Sequence, residues 1–222
     1  YHMGFSAVPG GFVGVDIFFV ISGFLITKII HDQCAEGRFS YAEFYRKRAL
    51  RILPALISML IFVLVAGWWV LPPSDYAGLG KSTLAATTFS SNFYFWRVGG
   101  YFDTALKLNP LLHTWSLAVE EQFYIGLPIL FLLVWRFGRR AIQGSMLLVL
   151  AISFAAAAAL VHGYGDEVFY WSPFRAWELA MGSLLAVFRV PGISSKGLRE
   201  GIALGALALV VAPCLLYTKT TV

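Results

Sequence analysis

The sequence Asn109-Pro-Leu-Leu-His-Thr-Trp-Ser-Leu-Ala-Val-Glu-Glu-Gln-Phe-Tyr124 leads without a break into the apolar residues 125–135. Ionisable groups are costly inside a membrane, so those found there are usually paired and functional. With Asn109 as the N-cap and Pro110 in the first helical position, one helix is expected from here to Trp135. The stretch therefore predicts a membrane helix whose N-terminal part carries polar side chains.

One narrow face of that helix collects most of its polar groups. At about 100° per residue, the face carries His113, Ser116, Glu120 and Tyr124. Glu121 lies roughly 80° round the helix from His113. Two interpretations stay open at this point. The face converges on a substrate, or Glu120 and Glu121 pair with basic residues and only fix how the helices pack.

The composition indicates a polytopic membrane protein. Hydrophobic residues make up 59% of the chain and charged residues 13%, and the mean hydropathy is +0.73, which excludes an ordinary soluble domain. The net charge of +5 comes from basic residues in short clusters beside apolar segments, which indicates topology signals and not nucleic-acid binding. The 2 cysteines predict neither a disulfide framework nor a metal site.

Apolar segments of spanning length predict an all-α bundle with about six membrane spans. They are residues 10–30, 52–71, 117–135, 141–161, 174–188 and 201–217. Between the second and third, residues 83–96 are short and rich in Thr, Ser and Asn. We expect that part to be a re-entrant or interfacial element, buried against protein where it enters the membrane.

The distribution of Lys and Arg predicts the orientation. The strongest basic cluster lies within residues 31–51 and is expected in the cytoplasm, and most other basic residues then fall on the same side. His113, Glu120 and Arg175 are placed toward the outer end by this topology, where they would meet a substrate from outside the cytoplasm.

Asp16 is an acid about a third of the way into the first apolar segment, so it needs a partner or a wet cavity, and a functional role is favoured over a structural ion pair. Gly14 and Gly23 are expected to let a neighbouring helix come close. His2 stands across the same turn from Asp16, and its imidazole suits proton transfer near neutral pH. Whether the two side chains meet stays open.

Two further pairs of charged residues have a structural and a functional interpretation each. Arg48 and Arg51 lie at i, i+3 beside the membrane, where they could hold phosphates or merely anchor the cytoplasmic side. Arg175 and Glu178 lie one turn apart at an outer helix end. They could form an ion pair within the helix, or bind a polyhydroxyl ligand beside the neighbouring tryptophans.

The motifs that carry these residues occur in the order seen in the membrane acyltransferase 3 family. They are Gly10-Gly-Phe-Val-Gly-Val-Asp16-Ile-Phe-Phe-Val-Ile-Ser-Gly-Phe-Leu-Ile, Phe44-Tyr-Arg-Lys-Arg-Ala-Leu-Arg51-Ile-Leu-Pro, His113-Thr-Trp-Ser-Leu-Ala-Val-Glu-Glu-Gln-Phe-Tyr124 and Arg175-Ala-Trp-Glu178. The resemblance implies a multi-pass O-acyltransferase of the bacterial inner membrane. Such an enzyme moves an acyl group, often acetyl, from acyl-CoA to a sugar hydroxyl of surface polysaccharide, lipopolysaccharide or peptidoglycan.

The resemblance also implies roles for individual residues. His2 matches the essential histidine of the family, so it is expected as general base or transient acyl carrier, with Asp16 orienting its ring. Arg48 and Arg51 are expected on the phosphates of CoA at the cytoplasmic side, and no metal is expected. The acceptor site at the outer end is expected to involve His113, Ser116, Glu120, Glu121, Arg175 and Glu178.

The family's essential arginine in its first helix has no counterpart in the sequence. Residues 1–222 are therefore expected to be a fragment of one acyltransferase transmembrane domain, with a helix before Tyr1. Further helices, and an SGNH hydrolase-like domain outside the cytoplasm, are expected after Val222.

Two rival functions belong to other classes. A proton-coupled transporter or flippase of a surface glycan or lipid intermediate would use Asp16, Glu120 and Arg175 as a pathway, and it predicts inverted repeats. A non-catalytic membrane scaffold predicts that substituting His113 or Glu120 changes abundance alone.

Overall fold

The computed structural model describes residues 13–99, 106, 108–188 and 195–216, and the regular elements within these ranges are all helices. They are α1 (Val13–Ala35), α2 (Tyr41–Val70), α3 (Pro73–Thr87), α4 (Ser91–Val98), α5 (Thr114–Trp135), α6 (Arg139–Leu160), α7 (Gly165–Tyr170), α8 (Ser172–Val187) and α9 (Lys196–Leu216). The prediction of an all-α bundle is confirmed. His2 lies outside the described residues.

Among the described residues, four helices are long and apolar enough to cross a membrane, namely α1, α2, α5 and α6. The predicted span at residues 174–188 corresponds to α8, which has only 16 residues. At 1.5 Å per residue it is about 24 Å long, less than the roughly 30 Å of a hydrocarbon core. Most of its central residues are buried, whereas Met181 and Leu185 are exposed, so one face of α8 packs inside the bundle.

The closest helix contact joins α1 to α8. A Cβ atom on Gly23 would lie 2.0 Å from the Leu179 carbonyl oxygen, and one on Gly182 would lie 1.9 Å from that of Val20. The two backbones therefore touch, as small residues allow inside membranes. Next to the crossing, Thr27 Oγ1 donates a hydrogen bond to Ser183 Oγ at 2.8 Å.

The prediction of close approach is confirmed for Gly23 and wrong for Gly14. Among the described residues, a Cβ atom on Gly14 would have nothing within 4 Å. The two glycines are about two and a half helical turns apart, so they lie on opposite faces of α1.

Helices α2 and α5 run antiparallel, and hydroxyl groups of α2 mark their register. The Tyr45 hydroxyl donates to the Tyr124 carbonyl oxygen at 3.2 Å, and that of Tyr41 to the Pro128 carbonyl oxygen at 3.5 Å. Pro128 lies inside α5 and has no N–H, so the Tyr124 carbonyl lacks its usual partner within the helix. Tyr45 replaces that missing donor from the neighbouring helix.

Both α2 and α5 differ from prediction at their starts. Helix α2 begins at Tyr41, within the predicted cytoplasmic loop, where the Ser40 hydroxyl accepts a hydrogen bond from the Glu43 N–H at 3.5 Å. Helix α5 begins at Thr114, so the predicted start at Pro110 is wrong. The Asn109 side chain accepts from the Leu111 N–H at 2.9 Å, which closes a local turn in place of a helix cap.

The polar residues 83–96 form the end of α3, a bend and most of α4. Phe89 in the bend has φ 49°, the left-handed region that non-glycine residues seldom adopt. Ser91 and Asn92 are fully buried, and the Ser91 hydroxyl donates to the Thr114 carbonyl oxygen at 2.9 Å. This broken helical element is therefore buried against the start of α5, as predicted.

Replacing Gly23 with alanine is expected to destabilise the protein, because the new methyl group would overlap the Leu179 backbone. Overpacked cores lose about 1–3 kcal/mol, which would appear as a lower melting temperature in detergent. Gly14→Ala adds the same methyl group to the same helix where nothing lies within 4 Å, and it should melt like the parent or slightly higher. Equal melting of the two variants would contradict the backbone contact.

Replacing Tyr45 with phenylalanine should leave the Tyr124 carbonyl without a donor. An unsatisfied buried polar group costs about 1–3 kcal/mol, so a lower melting temperature is expected in the same assay. Tyr164→Phe removes a hydroxyl from a side chain that is 56% exposed and serves as the matched control. If Tyr45→Phe and this control have the same melting temperature, the Tyr45 hydroxyl does not compensate for the N–H donor that Pro128 lacks.

Candidate active site

Arg175 lies between two carboxylates contributed by different helices. Its Nη2 atom is 2.5 Å from Asp16 Oδ1, and its Nη1 atom is 3.2 Å from Glu178 Oε1. We call these three residues the Arg175 cluster. Asp16 and Arg175 each lie near the start of their helix, and α1 and α8 run in the same direction through their glycine crossing. The parallel packing thus brings the two helix starts together.

Aromatic rings surround the Arg175 cluster. The guanidinium carbon is 5.6 Å from the ring centroid of Phe19, 5.9 Å from that of Trp115 and 5.7 Å from that of Phe169, distances at which rings attract cations. The Glu178 side chain is only 1% exposed, whereas that of Asp16 is 36% exposed. The cluster therefore reaches from an aromatic interior toward the surface at Asp16.

A second polar group, which we call the Arg48 cluster, joins α2 to α5. Arg48 Nη2 is 2.7 Å from Glu121 Oε1, and both side chains are largely buried. The guanidinium carbon also lies 3.6 Å from the centroid of the Tyr124 ring. The Tyr124 hydroxyl in turn donates a hydrogen bond to Glu120. Glu120 and Glu121, adjacent in sequence, thus meet different partners.

The Arg48 cluster unites residues that the sequence placed at opposite faces of the membrane. Arg48 and Glu121 are each seven residues beyond the first residue of their helix, about 10 Å along its axis. Because α2 and α5 are antiparallel, their ion pair lies within the bundle and not at either end. Arg48 was placed in a cytoplasmic loop because α2 was expected to begin later.

The other candidate residues lie apart from these clusters. The Ser116 hydroxyl donates to the carbonyl oxygen of His113 at 3.1 Å, within the first turn of α5, and the side chain of His113 is exposed. Arg51 is also exposed on α2. Within the predicted polar face of α5, the side chains of Glu120 and Tyr124 are hydrogen-bonded to each other.

A pocket of about 210 Å³ opens beside the Arg48 cluster, between α2, α5 and the bend before α4. We call it the Arg48 pocket. It is lined by Tyr45, Arg48, Ala49, Ile52, Leu53, Phe89, Glu121 and Ile125. Apart from the ion pair and the tyrosine, its walls are hydrocarbon.

A buried amide network that the sequence reasoning missed supports this region. Gln122 Nε2 donates to Asn92 Oδ1 at 3.0 Å and to the Phe89 carbonyl oxygen at 2.9 Å. Asn92 Nδ2 donates to the Tyr170 carbonyl oxygen at 3.1 Å, and the Ser172 hydroxyl donates to Gln122. The signal was an amide side chain in each of two segments that the sequence predicts to be buried against protein, where polar groups need partners.

Residues 2–221 match a family described as an acyltransferase domain. The chain belongs to this acyltransferase family. The acyltransferase also has four helices able to cross a bilayer among its described residues, so it is an integral membrane protein. It is 38% identical over 181 residues to an uncharacterised protein of Haemophilus influenzae, a match that covers 78% of this chain and 74% of that protein.

Two named relatives are longer than the acyltransferase. It is 31% identical over 206 residues to the O-acetyltransferase OatA of Staphylococcus aureus, covering 91% of this chain and 34% of that protein. It is 33% identical over 193 residues to the peptidoglycan O-acetyltransferase OatA of Listeria monocytogenes, covering 84% and 31%. The chain thus spans about a third of the length of these relatives. No solved structure matches it.

Replacing Arg175 with methionine should destabilise the acyltransferase, because the buried Glu178 carboxyl would lose its counter-ion. Removing one partner of a buried ion pair typically costs about 3–5 kcal/mol, which thermal unfolding in detergent would detect. The double variant Arg175→Met with Glu178→Gln removes both charges and should recover much of the loss. A single variant that melts like the parent would show that the ion pair contributes little.

Proposed function

We propose that this acyltransferase moves an acetyl group from acetyl-CoA to a hydroxyl of a cell-envelope glycan at the bacterial inner membrane, which it crosses several times. The observation that carries the proposal is the buried Arg48–Glu121 pair, which brings a residue assigned to the donor beside one assigned to the acceptor. The names of the two longer relatives, O-acetyltransferase and peptidoglycan O-acetyltransferase, support acetyl as the group and a glycan as the acceptor.

In the proposed reaction the acceptor hydroxyl attacks the thioester carbonyl carbon. A carbon–oxygen bond forms, the carbon–sulfur bond breaks, and the hydroxyl proton ends on the thiol of CoA. The step needs a base for the proton and hydrogen-bond donors for the charge that develops on the carbonyl oxygen. His2 is proposed as that base or as a transient acyl carrier, with Asp16 orienting its ring. Asp16 Oδ1 is engaged by Arg175, so the ring would meet Oδ2.

The remaining roles follow from placement of the side chains. Arg51, exposed on α2 three residues beyond Arg48, is proposed for the CoA phosphates, and Arg48 for the thioester end of the donor. The acceptor sugar is proposed to lie against the Arg175 cluster, whose aromatic rings suit stacking on a sugar face. The acceptor site is completed by His113, Ser116, Glu120 and Glu121.

Substituting His2 with alanine in the full-length protein is expected to abolish O-acetylation, because the hydroxyl would lose its base. The measurement is mass analysis of envelope glycans for base-labile acetyl esters, together with transfer of labelled acetate from acetyl-CoA in isolated membranes. His162→Ala, in an exposed loop after α6, is the matched control and should retain ester formation. Normal ester content in the His2→Ala strain, at unchanged protein abundance, would refute the assignment.

A further inference from the structure

The Arg48 pocket has an unusual combination of groups for a site inside a membrane bundle. Its ion pair is electrically balanced, since the Arg48 guanidinium faces the Glu121 carboxylate at 2.7 Å. The Nε–H group of Arg48 is nevertheless buried and has no hydrogen-bond acceptor among the described residues. The pocket therefore combines one balanced ion pair with hydrocarbon walls.

These groups favour a neutral ligand over an anionic one. A phosphate entering the pocket would meet the Glu121 carboxylate as well as Arg48, and like charges close together repel strongly where water is excluded. A carbonyl oxygen carries no net charge, accepts a hydrogen bond and can satisfy a buried donor. A thioester joins such an oxygen to two apolar arms, the acyl chain and the sulfur, which suit the surrounding aliphatic side chains.

The wall formed by Phe89 is fixed in position. Its backbone is held at φ 49°, and its carbonyl oxygen accepts the hydrogen bond from Gln122. A strained residue persists only where its surroundings hold it, and such residues cluster at ligand sites. At about 210 Å³ the pocket is also smaller than the roughly 300–1,000 Å³ of sites that enclose whole small molecules. It can hold one end of a ligand, and a rigid wall would limit the length of that end.

Building on the proposed function, we propose that the Arg48 pocket holds the acyl end of the thioester donor, with its carbonyl oxygen beside the Arg48 guanidinium. Ala49, Ile52 and Ile125 then determine how long an acyl chain the enzyme accepts. Ala49 and Ile52 lie on α2 and Ile125 on α5, so the acyl chain would lie between the two helices.

The test compares acetyl-, butanoyl- and hexanoyl-CoA as donors for the full-length enzyme in isolated membranes, with the ester on the glycan identified by mass. Ile52→Ala enlarges the pocket and is expected to raise the ratio of hexanoyl to acetyl transfer at least tenfold, since a single methylene in an apolar pocket changes discrimination by about 10–200-fold. Ile125→Ala tests the opposite wall in the same way. Ala49→Leu fills the pocket and is expected to lower butanoyl transfer at least tenfold relative to acetyl transfer.

Matched controls lie elsewhere on α2. Ile61→Ala and Ala55→Leu make the same changes at exposed positions and should keep the parent's preference among the donors. The ratios are taken within one membrane preparation, so they do not depend on how much of a variant folds.

Two failures are distinguishable. If the parent forms acetyl esters but the ratios of all three pocket variants equal those of the controls, the acyl pocket is overturned while the proposed function stands. If Ala49→Leu lowers transfer of all three acyl groups in proportion, the ratios are unchanged and the acyl assignment is overturned. If the parent transfers no acyl group from any donor, the proposed function itself fails.

Discussion

The ion pair between Arg48 and Glu121 is the constraint on which the arrangement of α2 and α5 depends. Separating the two groups would leave a charge in a setting where charge is costly, so the pair fixes the antiparallel register of the helices. The same register brings the Tyr45 hydroxyl to the carbonyl that Pro128 leaves without a donor. The pocket between the helices follows from this alignment, because its walls come from residues one turn to either side.

The α1–α8 contact positions the residues of the Arg175 cluster. With no side chain at Gly23 and Gly182, the two backbones touch, and their parallel course carries Asp16 to Arg175. Two kinds of contact therefore position the helices of this bundle. Close backbone packing sets one helix pair, and a buried ion pair sets the other.

The sequence predicts the helices well because apolar content and charge are local properties. It also indicates that Asp16 needs a partner, but it does not identify Arg175, because periodicity defines a face and not the helix that covers it. The start of α5 differs from the prediction because the Asn109 side chain accepts a hydrogen bond from the Leu111 N–H and closes a turn, instead of capping a helix. Arg48 lies in a helix and not in a loop, because the Ser40 cap starts α2 before its apolar residues begin. The assignments to His2 and to the rest of the site remain predictions.

The short length of α8 has a consequence for the bilayer itself. This helix packs between longer ones, and at about 24 Å it falls some 6 Å short of a typical hydrocarbon layer. Such a mismatch is relieved when lipid thins locally or when flanking polar groups draw water inward. The Arg175 cluster lies at the first turns of α8, where that relief would occur. Asp16, the most exposed member of the Arg175 cluster, would then lie close to water on that side of the bilayer.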